Sequence, residues 1–232
     1  MIPPLVKRLV KQVCFSTGII QPFDVYRFMH NPVELVFLAD CLNNIDYSLI
    51  DGVIVEAGCG YGATTVFLCK YLQALRIFRR YYALDTFSGF TAADIAVETD
   101  KRDKGPFTRF FHRAFADNKL EWFQAMTRYH GVSPMAHQVD VGHFDFSFLA
   151  PIAFCLLDVD LYQPTALALP RIYDALAPGG MLVVDDCWDD TKWDGAFQAY
   201  KEFCEHRNIP RRIIGRKLGV ITKIPPHRMP PP

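Results

Sequence analysis

The stretch from Val53 to Thr65 reads Val-Ile-Val-Glu-Ala-Gly-Cys-Gly-Tyr-Gly-Ala-Thr-Thr. A short apolar run passes into three alternating glycines and then into a helix-forming segment. A strand that is apolar on both faces must be covered on both sides, as strands of a parallel sheet are. Glycines at its end permit a tight turn and let the backbone come close to a neighbour or a ligand. The stretch therefore commits the chain to a strand–turn–helix unit of an α/β sheet.

The rest of the chain repeats that alternation. Pro32 to Leu42 carries a broad apolar face, with Asn31 placed to cap it and Pro32 at the first helical position. Val53 to Glu56 reads as a strand, Ala63 to Leu75 as a helix, and Tyr81 to Leu84 as a strand ending at Asp85. Ala136 to Val141 follows as a strand with weaker alternation, and Ile152 to Leu157 as a fully covered one. Thr165 to Leu176 reads as a helix kinked at Pro170 and stopped by Ala177 to Gly180. Met181 to Val184 is a strand, and Gly195 to His206 a helix. Arg211 to Gly215 and Leu218 to Thr222, joined by Arg216-Lys217, form an antiparallel terminal pair. Strands alternating with helices predict a doubly wound α/β sheet. Residues 87–133 interrupt it as a long, charged and aromatic insertion, expected to hold a helix over 107–128 and to act as a lid.

With 232 residues, one domain is the default organisation, spanning 1–232 with a helical cap at 1–50 and a disordered proline-rich tail at 225–232. Half of the residues are hydrophobic and 22% charged, a globular composition. Twenty-five basic residues balance 25 acidic ones, which does not favour nucleic acid as a partner. Seven cysteines without C-x-x-C or zinc spacing read as reduced core residues of a cytoplasmic protein. No run is long enough to span a bilayer. Val6, Leu9, Val10 and Val13 share one face of an N-terminal helix, expected to pack on the domain. The N-terminal region would serve a lid or self-association, and homo-oligomerisation stays open.

Three sets of residues carry chemistry. Gly58, Gly60 and Gly62 form G-x-G-x-G, one residue short of the usual dinucleotide spacing. Glu56, two residues earlier, is expected to turn its carboxylate to the crevice, where it suits an amine or sulfonium ligand. Asp85 ends the next strand about two dozen residues on, the spacing of an acid that receives ribose hydroxyls; with Thr86 it would otherwise serve as a cap. Asp158 and Asp185 each follow an apolar strand directly, and Asp186 comes next. Ligand sites in open α/β sheets lie outside the carboxyl ends of the strands. Three carboxylates converging there call for a hard cation, and all-oxygen ligands favour magnesium, manganese or calcium. Asp160 has the parity of Asp158 but is read as a cap for the helix starting near Pro164. Trp188 and Trp193 would line an acceptor pocket or pack. No histidine is assigned as general base.

Together these residues resemble the class I S-adenosylmethionine-dependent methyltransferases, and more closely the macrocin O-methyltransferase family. The resemblance rests on Val55 to Gly62, Ala83 to Phe90, Leu157-Asp158-Val159-Asp160-Leu161-Tyr162, and Pro178-Gly179-Gly180 through Asp186. It spans residues 33 to 205. Val159 stands where the family has glycine, and Cys187 where it has tyrosine. The resemblance implies a mostly parallel seven-stranded sheet with helices on both faces. It also implies a magnesium ion (or manganese) on Asp158, Asp185 and Asp186, and methyl transfer to a hydroxyl of a small molecule. The expected cofactor set is Glu56, Gly58, Gly60, Tyr61, Gly62, Asp85 and Thr86, with Asp158 also taking the proton. Two alternatives stand beside it: an NAD-dependent oxidoreductase, and a non-catalytic cofactor-binding partner protein.

Overall fold

A computed structural model of the chain describes residues 3–18 and 30–224. The expected tail at 225–232, and part of the N-terminal cap, lie outside the described residues. Seven strands form one sheet: β1 (Val53–Ala57), β2 (Tyr81–Asp85), β3 (Met135–Gln138), β4 (Ile152–Leu157), β5 (Leu176–Val184), β6 (Ile213–Ile214) and β7 (Leu218–Thr222). Their order is β3-β2-β1-β4-β5-β7-β6. The first five pair in parallel, whereas β7 runs antiparallel to both β5 and β6. The doubly wound sheet with an antiparallel terminal pair is thus present.

The helices are α1 (Pro4–Thr17), α2 (Pro32–Tyr47), α3 (Ala63–Leu75), α4 (Ala92–Lys101), α5 (Thr108–Phe111), α6 (Leu120–Tyr129), α7 (Tyr162–Ala175) and α8 (Gly195–His206). Strand parity divides the core. Val53, Val55, Ala57, Cys155 and Leu157 pack with Ala168, Leu169, Ile172, Ala196 and Tyr200 of α7 and α8. Ile54, Phe154, Leu156 and Val183 pack with Leu38, Leu42, Val66 and Leu72 of α2 and α3. Each strand side chain thus goes to one layer or the other by its position modulo two. Asn31 starts α2 as expected, accepting from Val33 N and Glu34 N while Glu34 reaches back to the cap amide.

Several expectations are corrected. α7 begins at Tyr162 and retains Pro170 inside it. It ends at Ala175, and β5 already pairs at Leu176 with Ile152. The Pro-Gly-Gly stretch is then a bulge between that pair and Phe154↔Met181, not a turn before the strand. β3 stops at Gln138, short of Val141. The helix expected over 107–128 is broken: a 3₁₀ turn at Gly105–Phe107 and α5 precede a second helix, α6. Phe115 between them takes φ 57°, which no right-handed helix accommodates. α4, ahead of them, was not expected. α1 does not bury its apolar stripe either: Leu9 is 53% and Val13 58% exposed. Its attachment is through Phe15, stacked on Trp122 at 5.4 Å, and Lys11, 3.1 Å from Asp117. Among the described residues no helix is long and apolar enough to cross a membrane, and all seven cysteines are unpaired.

Candidate active site

The register of the sheet aligns one row of residues at its carboxyl edge. Ala57 pairs with Leu84 and Leu157, and Leu157 with Val184. The next residues on those strands are Asp85, Gly58, Asp158 and Asp185. Backbone bonds continue the ladder through them: Gly58 N donates to Leu84 O at 2.7 Å, Asp158 N to Ala57 O at 2.8 Å, and Asp185 N to Leu157 O at 2.9 Å. A cavity of about 960 Å³ opens on this edge. Gly58 to Tyr61, Asp85 and Thr86 line one part of it, and Asp158, Asp160, Asp185 and Asp186 another.

The glycines have different jobs. A Cβ on Gly58 would lie 1.8 Å from Asp158 O, so this glycine is what lets β4 come so close. Gly62 caps α3 in the left-handed conformation, and a Cβ there would press on Phe123 at 3.0 Å. Gly60 has no atom within 4 Å of its would-be Cβ and lines the cavity. It is the glycine that exposes backbone to a ligand. Asn118 holds the turn by donating to Gly60 O at 3.0 Å, and Tyr61 donates to Asp117. Asp85 accepts Gly60 N at 2.8 Å and Phe87 N at 2.7 Å; burial pushes its pKa up and those amides oppose the shift. Its carboxylate borders the cavity with lone pairs left for hydroxyl donors. Thr86 donates to Gly89 O at 2.7 Å and lines the cavity beside it.

Glu56 does not face the crevice, contrary to expectation. It shares parity with Ile54 and so points into the α2–α3 layer. There it is 1% exposed, accepting the hydroxyls of Thr65 and Tyr81 at 2.6 Å each. Burial raises its pKa to about 7, against the two hydroxyl bonds.

The aspartates meet at this edge in two groupings that share Asp158, and neither is the expected trio of Asp158, Asp185 and Asp186. Carboxylate oxygens of Asp158, Asp160 and Asp186 lie within 4.8 Å of one another, as do those of Asp158 and Asp185 with a ring nitrogen of His30. Asp160 is therefore no helix cap: Leu161 occupies the cap of α7, and Asp160 takes φ 60° and turns its carboxylate to the cluster. Burial raises the pKa of Asp158, and repulsion from Asp185 and Asp160 adds to it. Burial and Asp186 do the same to Asp160. Asp186 is also raised by burial and by Asp185.

Two residues at this rim were missed by sequence reasoning. Lys217 Nζ donates to Asp185 Oδ2 at 2.6 Å and to Asp186 Oδ1 at 3.1 Å. The register supplies the reason: β7 is antiparallel to β5, so it begins at the edge where its parallel neighbours end, and the tip of the β6–β7 hairpin lands among the aspartates. Val184 indeed pairs with Gly219. His30 comes with α2, whose Glu34 accepts Arg216 N of the same hairpin at 3.1 Å. Its side chain is fully buried and its pKa is lowered by desolvation. Nothing in the local sequence marks it.

Four carboxylates face one ammonium. Two like charges about 4 Å apart repel by roughly 4 kcal/mol at an effective dielectric near 20, so a further cation fits this donor set. Among the described residues Asp185 Oδ1 has no hydrogen-bond partner, which leaves a lone pair free for it. Phe90, Phe115 and Trp193 also line the cavity, with Phe90 5.7 Å from Phe115 and 6.1 Å from Trp193. Trp188 does not line it; Arg216 stacks over its ring at 4.3 Å.

The model of the macrocin-O-methyltransferase family (TylF) matches residues 28–216. The chain belongs to this family. It is an S-adenosylmethionine-dependent O-methyltransferase, and the oxidoreductase alternative falls. Among solved structures, the O-methyltransferase NovP is similar with a TM-score of 0.73 and 18% identity, covering 85% of this chain and 82% of its own. CalS11, a calicheamicin methyltransferase, has a TM-score of 0.66 and 19% identity, covering 96% and 94%. Its apo form, described as a TDP-rhamnose 3′-O-methyltransferase, has a TM-score of 0.56 and 18% identity, covering 96% of each chain. At these identities the likeness is one of fold. No curated protein gives a significant match.

Proposed function

We propose that this methyltransferase acts on a hydroxyl of a sugar or related natural product, with a divalent cation held by Asp158, Asp185 and Asp186. The observation that carries the reading is the meeting of those carboxylates with the β1–α3 glycine turn at one cavity. That CalS11 acts on TDP-rhamnose supports a sugar acceptor. So does the aromatic wall of Phe90, Phe115 and Trp193, since aromatic faces offer broad apolar contact to a ring.

S-adenosylmethionine is a substrate here, consumed in each turnover. Gly58, Gly60 and Tyr61 would flank its amino-acid part, Asp85 would accept its ribose hydroxyls, and Thr86 would border the base. Gly62 shapes the helix start, and Glu56 braces the turn from below through Thr65 and Tyr81. A bound magnesium or manganese ion would supply Lewis acidity that lowers the pKa of an acceptor hydroxyl. Asp158 or Asp160, neither hydrogen-bonded to Lys217, takes the hydroxyl proton. The freed oxygen attacks the sulfonium methyl, the S–CH₃ bond breaks, and the electron pair stays on sulfur as a thioether. Lys217 holds Asp185 and Asp186 in place and offsets their charge.

Calorimetric titration with S-adenosylmethionine tests the cofactor site, and absence of binding with and without magnesium would overturn it. The Asp158→Ala protein is expected to bind the cofactor with near-native affinity. It should lose at least about 100-fold in methyl transfer to an accepted sugar, the scale of a lost acid–base group. Retained turnover would remove Asp158 from the reaction.

A further inference from the structure

The imidazole of His30 has no part in the reading above, yet it is buried against the carboxylates. Its side chain is 0% exposed, and neither ring nitrogen has a hydrogen-bond partner among the described residues. Asp185 Oδ1 is unpartnered too, and it faces His30 Nδ1 at 3.8 Å, too long for a hydrogen bond. Lys217 has taken the other oxygen, Oδ2. A buried donor–acceptor pair left this far apart is unusual, because buried polar groups nearly always find partners.

We propose that His30 is a metal ligand, joining Asp158 and Asp185 to make a site of one imidazole nitrogen and two carboxylate oxygens. The inference rests on the carboxylate site proposed above and changes its chemistry. Ligand atoms of His30, Asp158 and Asp185 all lie within 4.8 Å of one another. One ion with bonds of about 2.0–2.2 Å reaches atoms spaced a little more closely than that. The orphaned oxygen and the orphaned nitrogen are the two atoms such an ion would satisfy at once. His30 is also anchored for the task, since the next residue, Asn31, caps α2, and Glu34 one turn on ties that helix to the hairpin bearing Lys217.

The consequence is selectivity. All-oxygen sets suit magnesium, calcium and manganese, whereas an imidazole nitrogen shifts preference toward later first-row ions such as iron, nickel and zinc, with cobalt between iron and nickel in affinity. The sequence alone, showing only aspartates, led to magnesium, manganese or calcium, and the family resemblance to magnesium (or manganese).

The test compares Co²⁺ and Mg²⁺ binding by calorimetry in wild-type, His30→Ala and His30→Asn proteins loaded with S-adenosylhomocysteine, whose binding also reports that each variant is folded. Co²⁺ affinity is expected to fall at least about tenfold in both variants, the scale seen when groups supporting a metal are removed. Mg²⁺ affinity should change less. Pulsed electron paramagnetic resonance on wild-type protein carrying Mn²⁺ should show coupling to a directly bound ¹⁴N nucleus. This readout stands even if the variants fail to fold. Unchanged Co²⁺ affinity in folded His30→Ala, or bound Mn²⁺ without nitrogen coupling, would overturn the role of His30 and leave the carboxylate site standing. If no divalent ion binds the wild-type protein, the carboxylate site falls with it.

Discussion

Side-chain parity along β1 decides what Glu56 does. Two residues after Ile54, it must enter the same buried layer, and Thr65 and Tyr81 meet it there. Its pKa rises from 4.5 to about 7 because burial penalises the charge. The folded protein therefore holds this proton more tightly than the unfolded chain. The stabilisation is complete below pH 4.5 and is lost as pH rises through 7, amounting to up to about 3 kcal/mol. Glu56→Gln mimics the protonated form at every pH. Denaturant unfolding of both proteins from pH 4.5 to 8 should show the variant gaining on the wild type as pH rises; a constant difference would mean that Glu56 is ionised throughout. Asp158 and Asp185 were legible because each ends an apolar run. Asp160 was misread because a positive φ swings its carboxylate inward, and no pattern of neighbours announces such a backbone. His30 was invisible for a related reason, since the carboxylates beside it, Asp158 and Asp185, follow two strands distant in sequence.

At the scale of elements, the β1–α3 turn was read correctly as a glycine device, although its glycines are not equivalent. In Gly58→Ala the new methyl would strike the backbone carbonyl of Asp158. A loss of more than about 4 kcal/mol in unfolding free energy, or no folded protein, is expected. Gly60→Ala meets open space, so the cost is mainly its φ of 51°, about 1–2 kcal/mol. Cofactor affinity should nevertheless fall, because the methyl enters the cavity. Native affinity in Gly60→Ala would place the cofactor elsewhere. The insertion after β2 was poorly legible. Its aromatic and basic residues suit a helix locally, yet the chain must break at Phe115 to bring Asp117 to Tyr61 and Asn118 to Gly60. Tertiary demands of the glycine turn override helix propensity there. α1 misled through its apolar stripe, which remains exposed while Lys11 and Phe15 make the attachment.

The whole molecule places the site through topology. Parallel β1, β2, β4 and β5 end at one edge, and antiparallel β7 starts at that edge, delivering Lys217 to Asp185 and Asp186. Alternating strands and helices made the parallel part legible, and the terminal pair was legible too. What its direction meant for Lys217 emerged only from the register. The same arrangement gathers four carboxylates around one ammonium, a charge balance that asks for another cation. The most direct trial is a crystal grown with Mn²⁺ and S-adenosylhomocysteine, with diffraction recorded at the manganese absorption edge. An anomalous peak should lie within bonding distance of carboxylate oxygens from Asp158, Asp185 and Asp186. An ordered cofactor beside Gly60, with no peak at the aspartates and Lys217 alone bridging Asp185 and Asp186, would contradict a metal-assisted transfer.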